Sequence, residues 1–172
     1  EFKYIYGDRK GTIIKNTQTA VNSPYFDSYH KMDLDCEERS WKVDDPIMDL
    51  KMITGAGESK LKFESVNYFS RERFEKIQGL SEVHPLYSIK QFCEKNNTRV
   101  IHTVDLAQSM KLNDNQVRNL LIGLSSLGFM AFDADADRAI VKDKVYYYLN
   151  ARTGKVDYDE IKIESLISGK SN

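Results

Sequence analysis

Asp133, Asp135 and Asp137 stand at every second position of the stretch FMAFDADADRAIV, the alternation at which calcium loops place their oxygen ligands. The rest of an EF-hand loop does not follow. Counted from Asp133, the sixth place should hold Gly and the twelfth a bidentate Glu, but Arg138 and Lys144 stand there. Two cations in those places argue for a hairpin instead, with a strand over 129–132, a polar tip carrying the aspartates, and a return strand over 139–141. The metal reading of Asp133, Asp135 and Asp137 is kept as a weak alternative.

Other reactive residue types are present without a catalytic arrangement. His30, His84 and His102 share no metal-ligand spacing with one another or with a Cys, and each is expected at the surface or at a helix end. Cys36 in DLDCEE has no His beside it, and its alternating surroundings make it a buried strand residue. The carboxylate clusters VDDPIMD and KVDYDE read as turns and strand ends. Tyr146, Tyr147 and Tyr148 could stack on bases, but core packing is the stronger expectation. No enzyme activity, metal or cofactor is implied.

Composition bounds the remaining classes. The 172 residues are 41% hydrophobic and 30% charged, a water-soluble globular balance, and the formal net charge of −1 supplies no general field for polyanions. No apolar run approaches the roughly 18 residues of a membrane span. Cys36 and Cys93 stand too far apart to fix a compartment. The chain opens without Met on the strand-like run EFKYIYGDRKGTIIKN, so a fragment of a longer protein is expected, with Glu1 and Phe2 either native or left by cloning.

The fold class expected is α+β, in three parts. Residues 1–66 are β-patterned: KYIY, GTIIKN, YHKMDLDCEE, RSWKVD and MDLKMIT alternate apolar with polar side chains, as an antiparallel or repeat-like segment would. In KMDLDCEE the alternation puts Met32, Leu34 and Cys36 on one face and Asp33, Asp35 and Glu37 on a wet one. MDLD at 32, MDLK at 48, KLKFES at 60 and EIKIES at 160 echo one another, which would suit stacked strands. TGAGESK, residues 54–60, is a turn; it lacks the Gly-Lys-Ser/Thr ending of a phosphate loop.

Residues 67–152 turn helical. Ser70 caps a short helix that stops at Gly79, and Pro85 begins an amphipathic one that ends at Asn96 and Asn97. Thr103 caps the next, with Leu106, Ala107 and Met110 inward. Asn113 and Gln116 form a capping box for a helix carrying Val117, Leu120, Leu121, Leu124 and Leu127 inward, with Gly128 as its left-handed stop. KDKVYYYLNARTG is expected as a helix capped by Asp143, and residues 153–172 as a strand and tail that return to the β segment.

From 84 to 152, the core DLAQSMKLNDNQVRNLLIGLSSLGFM followed by the hairpin FMAFDADADRAIV resembles a winged helix-turn-helix domain. That resemblance implies a recognition helix over 113–127 and a wing whose tip holds the three aspartates. ESVNYFSRERFEKIQGLSEVHPLY and VKDKVYYYLNARTGKVDYDEIKIES also resemble parts of long uncharacterised bacterial proteins of the Bacteroidetes, in which such a block sits among β-rich segments.

A winged helix suggests duplex DNA, read here by Asn115, Gln116, Arg118 and Asn119 and held by Lys142 and Lys144. The charges oppose it. Arg118 is the one cation on the reading helix, and an acidic wing tip repels phosphate. The leading expectation is therefore a non-enzymatic structural or protein-interaction module whose partners are other protein segments, above all the rest of its own longer chain. A DNA-binding transcriptional regulator is the alternative.

Overall fold

The computed structural model describes residues 1–15, 23–53, 60–79 and 81–165. The strands of the N-terminal part are β1 (Phe2–Ile5), β2 (Lys10–Ile14), β3 (Tyr25–Asp27), β4 (Met32–Asp35), β5 (Glu38–Lys42), β6 (Met48–Lys51) and β7 (Lys62–Ser65). They are followed by α1 (Arg71–Gln78), α2 (Pro85–Asn96), β8 (Val100–His102), α3 (Thr103–Met110), α4 (Asp114–Ser126), β9 (Met130–Asp133), β10 (Arg138–Val141), α5 (Asp143–Arg152) and β11 (Lys162–Glu164). The class is α+β, and every strand pair is antiparallel.

The β segment divides into two sheets. The first runs β1-β2-β5-β6, and the second runs β11-β7-β4-β3, so the C-terminal strand does return to the β segment, against β7. The four echoing stretches do not form one stack: β4, β7 and β11 are neighbours in the second sheet, whereas β6 is the outer strand of the first. The turn expected over 54–60 lies, but for its last residue, outside the described residues.

Local signals place the helices. Ser70 accepts from the Arg73 N–H as the cap of α1, and Gly79 ends it at φ 54°. Asn113 and Gln116 close the capping box of α4, and Asn97 ends α2 in the left-handed region. Two caps fall one residue earlier than expected. His102 and Lys142 hold the N-cap positions of α3 and α5, neither through a side-chain bond, so Thr103 and Asp143 are the first helical residues. Thr103 spends its hydroxyl on Asp137 instead, donating to Oδ1 at 3.0 Å.

The core sits in the helical part. Leu86, Ile89, Ile101, Leu106, Val117, Leu121, Phe129, Met130, Val145 and Tyr148 are fully buried in one cluster, which begins at Phe69 and takes no buried residue from the first sheet. Tyr148 is its pivot. Its ring lies 4.7 Å from Phe69 and 5.0 Å from Phe129, and its hydroxyl donates to the Ser70 carbonyl at 2.9 Å while accepting from the Ser70 N–H. Burial pushes that phenol up to about 12, so it stays protonated and able to donate.

Candidate functional site

The hairpin of β9 and β10 carries the three aspartates at or beside its tip, and local bonds hold two of them. Asp133 Oδ1 accepts from the N–H groups of Asp135 and Ala136, at 3.2 and 3.1 Å, which is an Asx turn. Asp137, at φ 47°, turns its carboxylate inward to Thr103 and lies 3.5 Å from Arg118. Asp133 lies 3.7 Å from Arg138. Among the described residues, no three His, Cys, Asp or Glu side chains gather as metal ligands would.

The six residues of the nucleic-acid reading are not brought onto one surface. Asn115 and Asn119 are exposed on α4, but Asn119 lines a cleft of about 560 Å³ between α4 and α1, together with Lys76, Ile77 and Leu120. Gln116 accepts from the Asn113 N–H through its amide oxygen. Arg118, half-exposed, donates to the Ala134 carbonyl at 2.9 Å and lies over the Phe132 ring, so the guanidinium braces the hairpin. Lys142 is half-buried; burial lowers its pKa, and the nearby Asp33 carboxylate offsets this in part.

Lys144 is buried outright. Its ammonium donates to Asp33 Oδ2 at 2.6 Å and to Glu64 Oε1 at 2.9 Å, joining the first turn of α5 to β4 and β7. Glu64 in turn accepts a bidentate pair from Arg73 of α1, at 2.6 and 2.7 Å. Burial pushes the Glu64 carboxyl up, but the Arg73 bonds and the Lys144 charge outweigh it and hold the group below the usual carboxylate range. Two acids and two cations thus balance inside the joint between the second sheet and the helical part.

This overturns the wet face expected for KMDLDCEE. Asp33 is 5% exposed and Glu37 is buried as well. On the face that period-two alternation assigns to water, Asp33 is covered by α5 and the end of α4, while Asp35 stays half-exposed beside Lys15. Gly128, at φ 80°, comes so close that a Cβ there would stand 2.7 Å from Asp33 Oδ2. Strand register explains why a counter-charge is required: Asp33 and Glu64 are direct cross-strand partners, and like charges so placed repel unless a cation lies between them. The sequence offered one sign of this, a Lys within an otherwise apolar helix face, but the pairing of β4 with β7 that completes the site is non-local.

His84 is also interior, 5% exposed, although it does stand at a helix end. Its Nδ1 accepts from the Leu86 N–H at 3.1 Å, so the Nε2 hydrogen is the one that donates to the Phe74 carbonyl at 2.9 Å. Burial lowers its pKa, and the Phe74 bond restores part of the shift.

The first sheet has the opposite character. Trp41 lies flat on Gly11, where a Cβ would come within 2.7 Å of the indole, and among the described residues this sheet contributes nothing to the core cluster of the helical part. Phe2, Tyr6, Ile47, Met48 and Ile53 are all exposed around its outer strands. Among the described residues, neither outer strand, β1 or β6, has a partner on its far side. No helix of the described residues is long and apolar enough to cross a membrane. No protein-family model matches this chain, and no curated protein or solved structure matches it.

Proposed function

We propose that this chain is a non-enzymatic protein-association module, in which the first sheet offers its outer strands to protein segments and the helical part serves as a rigid buttress. One observation carries the reading: large apolar side chains, from Phe2 to Ile53, are exposed around a sheet that, among the described residues, adds nothing to the core cluster. Contiguous exposed apolar surface marks association sites, and an open strand edge adds unpaired N–H and C=O groups for a further strand.

The winged-helix reading of 84–152 is part of the proposal. It is supported by the order α2, β8, α3, α4, β9, β10, with β8 pairing to β10 so that the hairpin belongs to a three-stranded sheet. Such a unit here packs against the second sheet through Lys144, which removes one cation that duplex binding would need. The regulator alternative keeps only Asn115, Asn119 and part of Gln116 as free reading groups, beside an acidic tip.

Cross-linking mass spectrometry in cells that express the protein tests this reading. Lys3, Lys42 and Lys51 of the first sheet are expected to join to protein segments. Ultraviolet cross-linking that instead recovers nucleic acid on residues 115–119 would overturn it.

A further inference from the structure

The residues of β6 and those flanking it lie in an ordered pattern. Residues 47–53 read Ile-Met-Asp-Leu-Lys-Met-Ile. Turned end for end about Leu50, the run is unchanged except that Asp49 and Lys51 exchange places. An antiparallel pair of two such strands, related by a two-fold axis at Leu50, sets Ile47 against the partner's Ile53, Met48 against the partner's Met52 and Asp49 against the partner's Lys51.

The backbone is in the phase this register needs. The Lys51 carbonyl accepts from the Glu37 N–H at 3.0 Å, and the Ile53 N–H donates to the Glu37 carboxylate. Both therefore point back toward β5. In an antiparallel strand the N–H and C=O of one residue point the same way and alternate along the chain, so Met48, Leu50 and Met52 turn theirs to the open edge. Leu50 can then exchange both bonds with its own symmetry mate.

Charge and exposure agree with that geometry. Ile47 is 66% exposed and Ile53 49%, Asp49 makes no ion pair among the described residues, and Lys51 has only a 3.9 Å contact with Glu38. Edge strands that must stay single carry charges that repel a second copy, whereas Asp49 and Lys51 would attract one. One outer strand of the second sheet, β11, also holds an opposite pair, but there Lys162 and Glu164 are bonded to each other at 2.7 Å.

We propose that β6 is a homodimerisation edge, through which two copies of this chain join their first sheets into one continuous sheet about a two-fold axis at Leu50. The contact is isologous, so the same seven-residue run serves both sides. This rests on the association reading above and names its partner as a second copy.

Sedimentation of the whole chain over a wide concentration range provides the test, with melting curves to confirm that each variant folds. Asp49→Lys opposes two cations across the pair, and Lys51→Asp opposes two acids. Each variant alone is expected to dimerise at least about tenfold more weakly than the unaltered protein. An equimolar mixture of the two, or the double exchange Asp49→Lys/Lys51→Asp, is expected to restore the dimer.

A protein that stays monomeric to millimolar concentration, a dimer indifferent to both substitutions, or a mixture that fails to pair would each overturn the proposal. Should self-association be absent while Lys3, Lys42 and Lys51 still cross-link to other proteins, the homodimer is rejected and the association reading stands.

Discussion

Lys144 and Asp33, 111 positions apart, meet through a 2.6 Å hydrogen bond between Nζ and Oδ2, with both side chains less than a tenth exposed. That bond ties the first turn of α5 to the middle of the second sheet. It also explains why two features fail to serve as they first suggest: Asp33 on the acidic strand face does not meet water, and the cation after the hairpin does not face solvent.

Gly128→Ala tests how tightly this joint closes. The residue sits at φ 80°, and an added Cβ would meet Asp33 Oδ2 at 2.7 Å and Pro24 Cγ at 3.1 Å. Gly154 sits at φ 70° with nothing within 4 Å, so Gly154→Ala isolates the backbone cost, about 1–2 kcal/mol. Urea unfolding should show Gly128→Ala losing clearly more than Gly154→Ala; equal losses would mean that the close approach to Asp33 is not present.

Acid should weaken the fold in two stages. His84 has its folded pKa lowered from 6.5 and Glu64 from 4.5, so in each case the unfolded chain takes up the proton first. The stabilisation is full above the unfolded value and is lost as pH falls toward the folded one. Melting temperature is therefore expected to begin falling below about pH 6.5 and to fall again below about pH 4.5. His84→Gln should remove the first stage and leave the second; an unchanged pH profile in that variant would contradict the assignment.

The hairpin aspartates are expected to ignore calcium. Asp133 serves the turn and Asp137 serves Thr103, so binding an ion would require breaking bonds that order the tip. Millimolar calcium should leave the melting midpoint within a degree or so, since only a ligand that favours the folded state raises it. A rise of several degrees, abolished by Asp135→Asn, would revive the metal reading.

Duplex DNA should not bind appreciably even at low salt. Lys144 spends its charge internally, Arg118 is paired with Asp137 at 3.5 Å, and Lys142 is half-buried beside Asp33. Fluorescence anisotropy with a random duplex is expected to stay flat. Micromolar binding that falls steeply with salt, and falls further on Lys142→Gln, would restore the regulator reading.

The helical half could be read from sequence because its signals are local. Ser70, Asn113 with Gln116, Asn97 and Gly79 act within a turn of their own positions, and the apolar spacing of Val117, Leu121 and Leu124 sets which face is buried. The strands were visible too, but not their partition into two sheets, because β4 finds β7 across a gap that alternation does not encode. Asp33 illustrates the limit. Period two assigns its side chain to a face correctly, yet only the docking of α5 decides whether that face meets water or Lys144.

A double-mutant cycle on Asp33 and Lys144 bears most directly on the joint that organises this account. Lys144→Met should cost about 3–5 kcal/mol, because it strands the buried Asp33 carboxylate, whereas Asp33→Asn/Lys144→Met should recover part of that loss. A coupling of about 1–3 kcal/mol from equilibrium unfolding is the expected result. Additivity within about 0.5 kcal/mol would contradict it, and would mean that Lys144 is free to face solvent, and nucleic acid, after all.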